Sequence, residues 1–186
     1  MTKPSLSALA TAVLVSASLL SAPAAEAGSK KMWDNLSTGL ALGVGAVAGV
    51  TTLKKQDNTG LKQLSWTLGS TLLITEALKA TVHENRPDGS GNDGFPSGHT
   101  SMAFAAATYF GIRYGDQYPQ YVPYVYGAAA LTGIARVEAK KHYARDVLAG
   151  ALLGWGMGKL ITTPQNAELM VAPTAGGASV TYTKHF

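Results

Sequence analysis

Apolar residues gather in this chain into six blocks, residues 6–20, 36–53, 64–82, 100–112, 121–137 and 147–163, separated by short polar connections. Blocks of this length with polar ends suit helices better than strands. Pro119 and Pro123 mark the start of the fifth block, where proline fits a first helical turn. After Pro164 the pattern changes: "ELMVAPTAGGASVTYTKHF" has two short runs of strand-forming residues about Gly176-Gly177, which predicts a hairpin. The expected fold is all-α, a helical bundle of about five mature helices with a short C-terminal β-hairpin tail.

The first block has the grammar of a secretory leader. Lys3 precedes the apolar stretch, and Ala25-Glu26-Ala27 follows as a small-x-small cleavage site. The domain reading is therefore a signal peptide over residues 1–27, a helical domain over 28–163 and a hairpin tail over 164–186. An uncleaved anchor is the alternative for the first segment. Either form implies export, to the periplasm or to the periplasmic face of the inner membrane. Small residues four apart, Gly39/Gly43, Gly45/Gly49 and Gly150/Gly154/Gly158, suit closely approaching helix backbones, in a membrane or in a soluble core.

Composition narrows the function classes. Of 186 residues 46% are hydrophobic and only 14% charged, which excludes extended disorder. A formal charge of +4 suits an anionic substrate or membrane surface but is too small and scattered for a nucleic-acid partner. With no cysteine, disulfides and thiolate metal sites are excluded.

The polar connections carry the candidate chemistry. Lys79 and Arg86 lie seven residues apart, almost two helical turns, so they would project alike if the helix continued; Pro87 places Arg86 at its fraying end. "FPSGHTS" at 95–101 stands where a helix begins, so Ser97 and the amides near Gly98 can face an anion beside His99. Farther on come Arg136, His142 and Asp146, the last two on one face if a helix already runs there. Three cations can clamp an oxyanion, and two histidines can divide nucleophilic attack and proton donation. Phosphoryl transfer is mostly positioning and charge stabilisation, so this set suffices for it. No cluster of metal-binding carboxylates accompanies it, and the expected route needs no metal and no other cofactor.

Lys-x6-Arg-Pro at 79–87, Pro-Ser-Gly-His at 96–99 and Ala-Arg-x5-His-x3-Asp at 135–146 together resemble the signature of the type 2 phosphatidic acid phosphatase family. Ala135 stands where that family usually has serine. The resemblance implies that His142 attacks phosphorus, that Asp146 orients it, and that His99 protonates the leaving oxygen. It also implies that Lys79, Arg86, Ser97, Gly98 and Arg136 hold the phosphoryl oxygens. The expected activity is a phosphatase acting on phosphomonoesters or pyrophosphates, lipid-linked ones above all, through a phosphohistidine.

Three alternatives stand beside it: a soluble periplasmic acid phosphatase, a vanadium-dependent haloperoxidase-like enzyme, and a non-catalytic anion-binding envelope protein. Topology favours the membrane, because the lysines of loop 54–62 would face the cytoplasm and leave all three motifs outside. Length opposes it, because 100–112 is short for a span of about 30 Å.

Overall fold

The computed structural model describes residues 25–174 and 176–184. The leader expected ahead of them lies outside the described residues. Five helices follow in order: α1 (Ala25–Lys54), α2 (Asn58–Val82), α3 (Gly98–Tyr114), α4 (Val122–Glu138) and α5 (Ala144–Ile161). A 3-10 turn at Pro119–Tyr121 leads into α4. Strands β1 (Ala167–Thr174) and β2 (Gly177–Lys184) form an antiparallel pair, with Ala167 opposite Lys184 and Thr174 opposite Gly177. The all-α bundle with a C-terminal hairpin is the fold that the hydrophobic pattern predicts.

Helices α1, α2, α3 and α5 begin before their apolar blocks, because the polar residues ahead of each block also adopt helical backbone. The clearest case is α3, which has 17 residues where the apolar run has only 100–112. At 1.5 Å per residue that is about 25 Å, which shortens the mismatch with a bilayer core. Helix α2 ends sooner than Pro87 requires. His83 takes a left-handed conformation (φ 49°) and caps the helix after Val82, so Arg86 stands in the loop and not on the helix.

Helix α3 is the centre of the bundle and packs against the other four helices. Its alanines Ala103, Ala105, Ala106 and Ala107 are buried and let the neighbours close in, while Tyr109, Phe110 and Tyr114 fill the far end with Val44, Val47, Ala48 and Leu64. The closest approach is to α5. A Cβ on Gly154 would lie 2.0 Å from the Ser101 carbonyl oxygen, so only glycine permits this contact. The glycines at 150, 154 and 158 are thus a packing stripe, whereas a Cβ on Gly45 or Gly49 would meet nothing within 4 Å.

A buried ion pair fixes the end remote from the motifs. Arg113 donates to both carboxylate oxygens of Asp57 at 2.7 Å and to the carbonyls of Thr163 and Pro164. Asp57 also caps α2 through the Gly60 amide and accepts from Tyr114. One residue thereby ties the α1–α2 turn, the end of α3 and the chain leaving α5. The outer faces are apolar: Leu53, Trp66, Leu73, Leu148, Leu152 and Leu160 are all exposed. Helix segment Gly28–Lys54 has the length and hydropathy to cross a membrane.

Candidate active site

Motif two enters the site through the start of α3. Ser97 is the N-cap residue, and its amide donates to the Asp146 carbonyl at 3.0 Å, which welds this turn to the start of α5. The same glycine stripe that seats α5 on α3 therefore brings the second and third motifs together. Motif one joins from α2, where Thr75 and Ser101 share a hydroxyl contact of 3.0 Å. A Cβ on Gly98 would stand 3.9 Å from Lys79 Cε, so the lysine stem crosses the first turn of α3.

One cavity of about 840 Å³ collects Lys79, Arg86, Gly98, His99, Arg136 and His142. Six of the eight residues expected at the site thus share one space. Ser97 and Asp146 stand behind it, both fully buried. The Ser97 hydroxyl pairs with that of Thr100 at 2.9 Å. Ala135, also fully buried, stands next to Arg136 on α4 and is not among the lining residues.

His142 precedes α5 instead of riding on it, because the helix starts only at Ala144. Its orientation comes from the loop at 83–97. The Nδ1 atom lies 2.7 Å from the Gly94 carbonyl oxygen. A carbonyl can only accept, so Nδ1 carries the proton and Nε2 keeps its lone pair. Asp146 Oδ2 is 3.8 Å from the same nitrogen and instead accepts from the Tyr143 amide at 2.8 Å, within a capping box. Gly94 is held by its own amide, which donates to the Glu84 carbonyl at 2.7 Å. A Cβ there would come within 2.9 Å of that oxygen, so the chain can approach this closely only at glycine. Burial, with the Arg136 charge nearby, pushes the His142 pKa down to about 3. The imidazole is therefore neutral.

The cations are held by carboxylates. Arg86 Nη2 donates to Asp93 Oδ2 at 2.8 Å, and Lys79 Nζ donates to the Asp93 carbonyl at 2.5 Å. The hydrogen bond from Arg86, with the charges of Arg86 and Lys79, keeps the Asp93 carboxyl below its usual range against the effect of burial. Arg136 Nη1 donates to Asp34 Oδ1 and to Ser37 Oγ, both on α1. His99 Nε2 contacts Thr38 Oγ1 at 3.2 Å.

Sequence reasoning missed this contribution of α1, and with it Asp93. Among the described residues, the buried side-chain polar atoms left without a hydrogen-bond partner are Arg86 Nε, Arg136 Nε and Asp146 Oδ1. Each of the two arginines thus keeps one guanidinium donor unmet, beside a cavity lined by Lys79, Arg86, Arg136 and Lys141 and by the carboxylates of Asp34, Glu76 and Asp93.

From that polar end the cavity continues between helices into an apolar groove. Ala41, Leu42, Gly45 and Ala46 of α1, Leu68 and Leu72 of α2, and Met102 and Ala106 of α3 line it. On all three helices the lining steps away from the charged end turn by turn. From Thr38 to Ala46 the groove runs about 12 Å along α1. Leu42 and Leu72 on its rim are exposed.

Comparison with known proteins agrees with this geometry. The PAP2 superfamily model matches residues 88–168. The lipid A 1-phosphatase of Porphyromonas gingivalis is 41% identical over 103 residues, covering 54% of this chain and 23% of that protein. The lipid A 4'-phosphatase of Helicobacter pylori is 32% identical over 126 residues, 62% of each chain. Lipid phosphate phosphatase 1 of Arabidopsis thaliana is 36% identical over 75 residues, 34% of this chain and 23% of that one. This chain thus spans less than two thirds of the length of each of these relatives. No solved structure matches it. The second and third motifs and both cavity histidines fall inside residues 88–168, the stretch that is similar to the PAP2 superfamily.

Proposed function

We propose that this protein is an exported phosphatase that hydrolyses lipid-linked phosphomonoesters or pyrophosphates at the periplasmic face of the inner membrane. The observation that carries the reading is the two-part cavity, cationic at one end and apolar along the other, continuous over about 840 Å³. A free sugar phosphate has no use for the groove; a phosphate on a hydrocarbon chain fills both parts. The exposed apolar perimeter and helix Gly28–Lys54 suit a bundle embedded in lipid, and the relatives named as lipid phosphatases support the substrate class.

The chemistry follows from the residues. Lys79, Arg86, Arg136 and the amides at the start of α3 hold the phosphoryl oxygens and neutralise their charge. Nε2 of His142 attacks phosphorus as the bond to the leaving oxygen breaks, and that oxygen takes a proton from His99. The substrate's own negative charge favours the protonated His99 that this step needs, against the three neighbouring cations, which disfavour it. Water then attacks phosphorus, gives its proton to His99, and the phosphorus–nitrogen bond breaks to return His142 and inorganic phosphate. Asp146, buried beneath His142, offsets the positive charge that the ring gains on phosphorylation. No metal takes part in this route.

The test is phosphate release by the detergent-solubilised full chain from a lipid phosphate, an isoprenoid pyrophosphate and a soluble phosphoester. The lipid-linked substrates should lead, and His142→Ala should abolish all three while the circular dichroism stays helical. Equal turnover of the soluble ester would refute the lipid assignment, and undiminished turnover by His142→Ala would refute the nucleophile.

A further inference from the structure

We propose that α1 supplies a fourth part of the active site, in which Asp34 is the positioning residue for Arg136. Arg136 is almost fully buried on α4, and its Nη1 is gripped from 102 positions away by the carboxylate of Asp34. Ser37 Oγ accepts from the same nitrogen at 3.2 Å and donates its own hydrogen to the Asp34 carbonyl at 2.7 Å. Nε of Arg136 is left buried without a partner. A guanidinium is rigid and planar, so fixing one Nη sets the direction of the whole plane. The grip at Nη1 therefore leaves the Nε and Nη2 edge to take two oxygens of one phosphoryl group.

The other arginine is also held by a single carboxylate, at a different nitrogen. Arg86 is held at Nη2 by Asp93 and has its Nε buried and unmet. Each arginine thus has one carboxylate that aims it and one buried Nε donor left unmet, but only on Arg136 is the whole Nε and Nη2 edge clear of that carboxylate. Both aspartates lie outside the three motifs, and Asp34 differs from Asp93 in also lying outside the matched residues 88–168. The opposite role, a carboxylate that sits in the anion's place and must be displaced, predicts effects of opposite sign.

The inference rests on the phosphoryl reading of the cavity, and its test separates the two. Orthovanadate, a tetrahedral analogue of phosphate, serves as the probe, measured as inhibition of p-nitrophenyl phosphate hydrolysis by the full chain. Asp34→Ala should weaken vanadate inhibition and lower kcat/KM by about 10- to 100-fold, the worth of one hydrogen bond to a charged group. Asp34→Asn, which keeps the acceptor oxygen, should recover most of the loss. In an Arg136→Gln background Asp34→Ala should add nothing, because it acts through that arginine.

Tighter vanadate binding or faster turnover in Asp34→Ala would overturn the positioning role, as would fully additive losses with Arg136→Gln. Wild-type protein that hydrolyses the ester but ignores vanadate would instead remove the phosphoryl reading on which the inference stands.

Discussion

Leucine in place of Gly45 would fill the apolar groove from its α1 wall without disturbing the helices, because a Cβ at Gly45 meets nothing within 4 Å. Gly45 lies seven residues beyond Thr38, so the obstruction falls about 10 Å from the hydroxyl beside His99. A leucine side chain has four carbons and displaces about four methylenes of a bound chain. At about 0.8 kcal/mol per methylene the loss is about 3 kcal/mol, or about 200-fold in kcat/KM. The helix itself gains, since leucine is favoured over glycine in a helix interior by about 0.5–1 kcal/mol. The assay compares phosphate release from a long-chain lipid phosphate, a short-chain analogue and p-nitrophenyl phosphate. Only the long chain should suffer, with the melting temperature unchanged or raised. Equal losses on all three, or none on the long chain, would refute the groove as the seat of the lipid chain.

Three other outcomes are expected. Gly154→Ala drives a methyl into the Ser101 carbonyl and should destabilise the protein by about 3 kcal/mol with loss of activity, whereas Gly156→Ala, where nothing lies within 4 Å, should be silent in thermal melts. His99→Ala should slow substrates with poor leaving groups far more than aryl esters, and a uniform loss across a series of leaving-group acidities would contradict its role as proton donor. Because His142 is held to about 3 while an unfolded histidine titrates near 6.5, the unfolded chain takes up the proton first as pH falls. This one group should therefore take up to about 1.4 kcal/mol per unit from the stability as pH drops from 6.5 toward 3, and pH-dependent denaturation should show a slope shallower by that amount in His142→Gln.

The site was legible in the sequence wherever its residues sit in short, fixed spacings. Lys79 with Arg86, Gly98 with His99, and Arg136 with His142 could be named because each pair spans a single turn or loop. Asp34 could not, because its partner is 102 positions away and in one dimension it is only a polar residue near an apolar run. The lone hint was spacing: Asp34, Thr38, Ala41 and Gly45 fall at helical intervals on one face, and all four line the cavity. Periodicity also misjudged how the histidine is held. The spacing of four from His142 to Asp146 implied a shared helix face if a helix already ran there, but α5 begins after His142, and the Gly94 carbonyl takes the ring instead. The glycines show the same limit. Gly45/Gly49 and Gly150/Gly154/Gly158 look alike in sequence, yet only the second set packs a helix, since what a glycine faces is a tertiary fact.

The contact between α3 and α5 is made by main chain against main chain, Gly154 on Ser101 and Gly150 on Ser97. His99 and His142 stand at the head of that seam, so their separation depends on no side chain that lines the groove. The walls on α1 and α2 can then be rebuilt, residue by residue, while the two imidazoles keep their mutual geometry. On the proposed lipid-phosphatase function, a scaffold of this kind can change which lipid it serves without having to reinvent how it cuts.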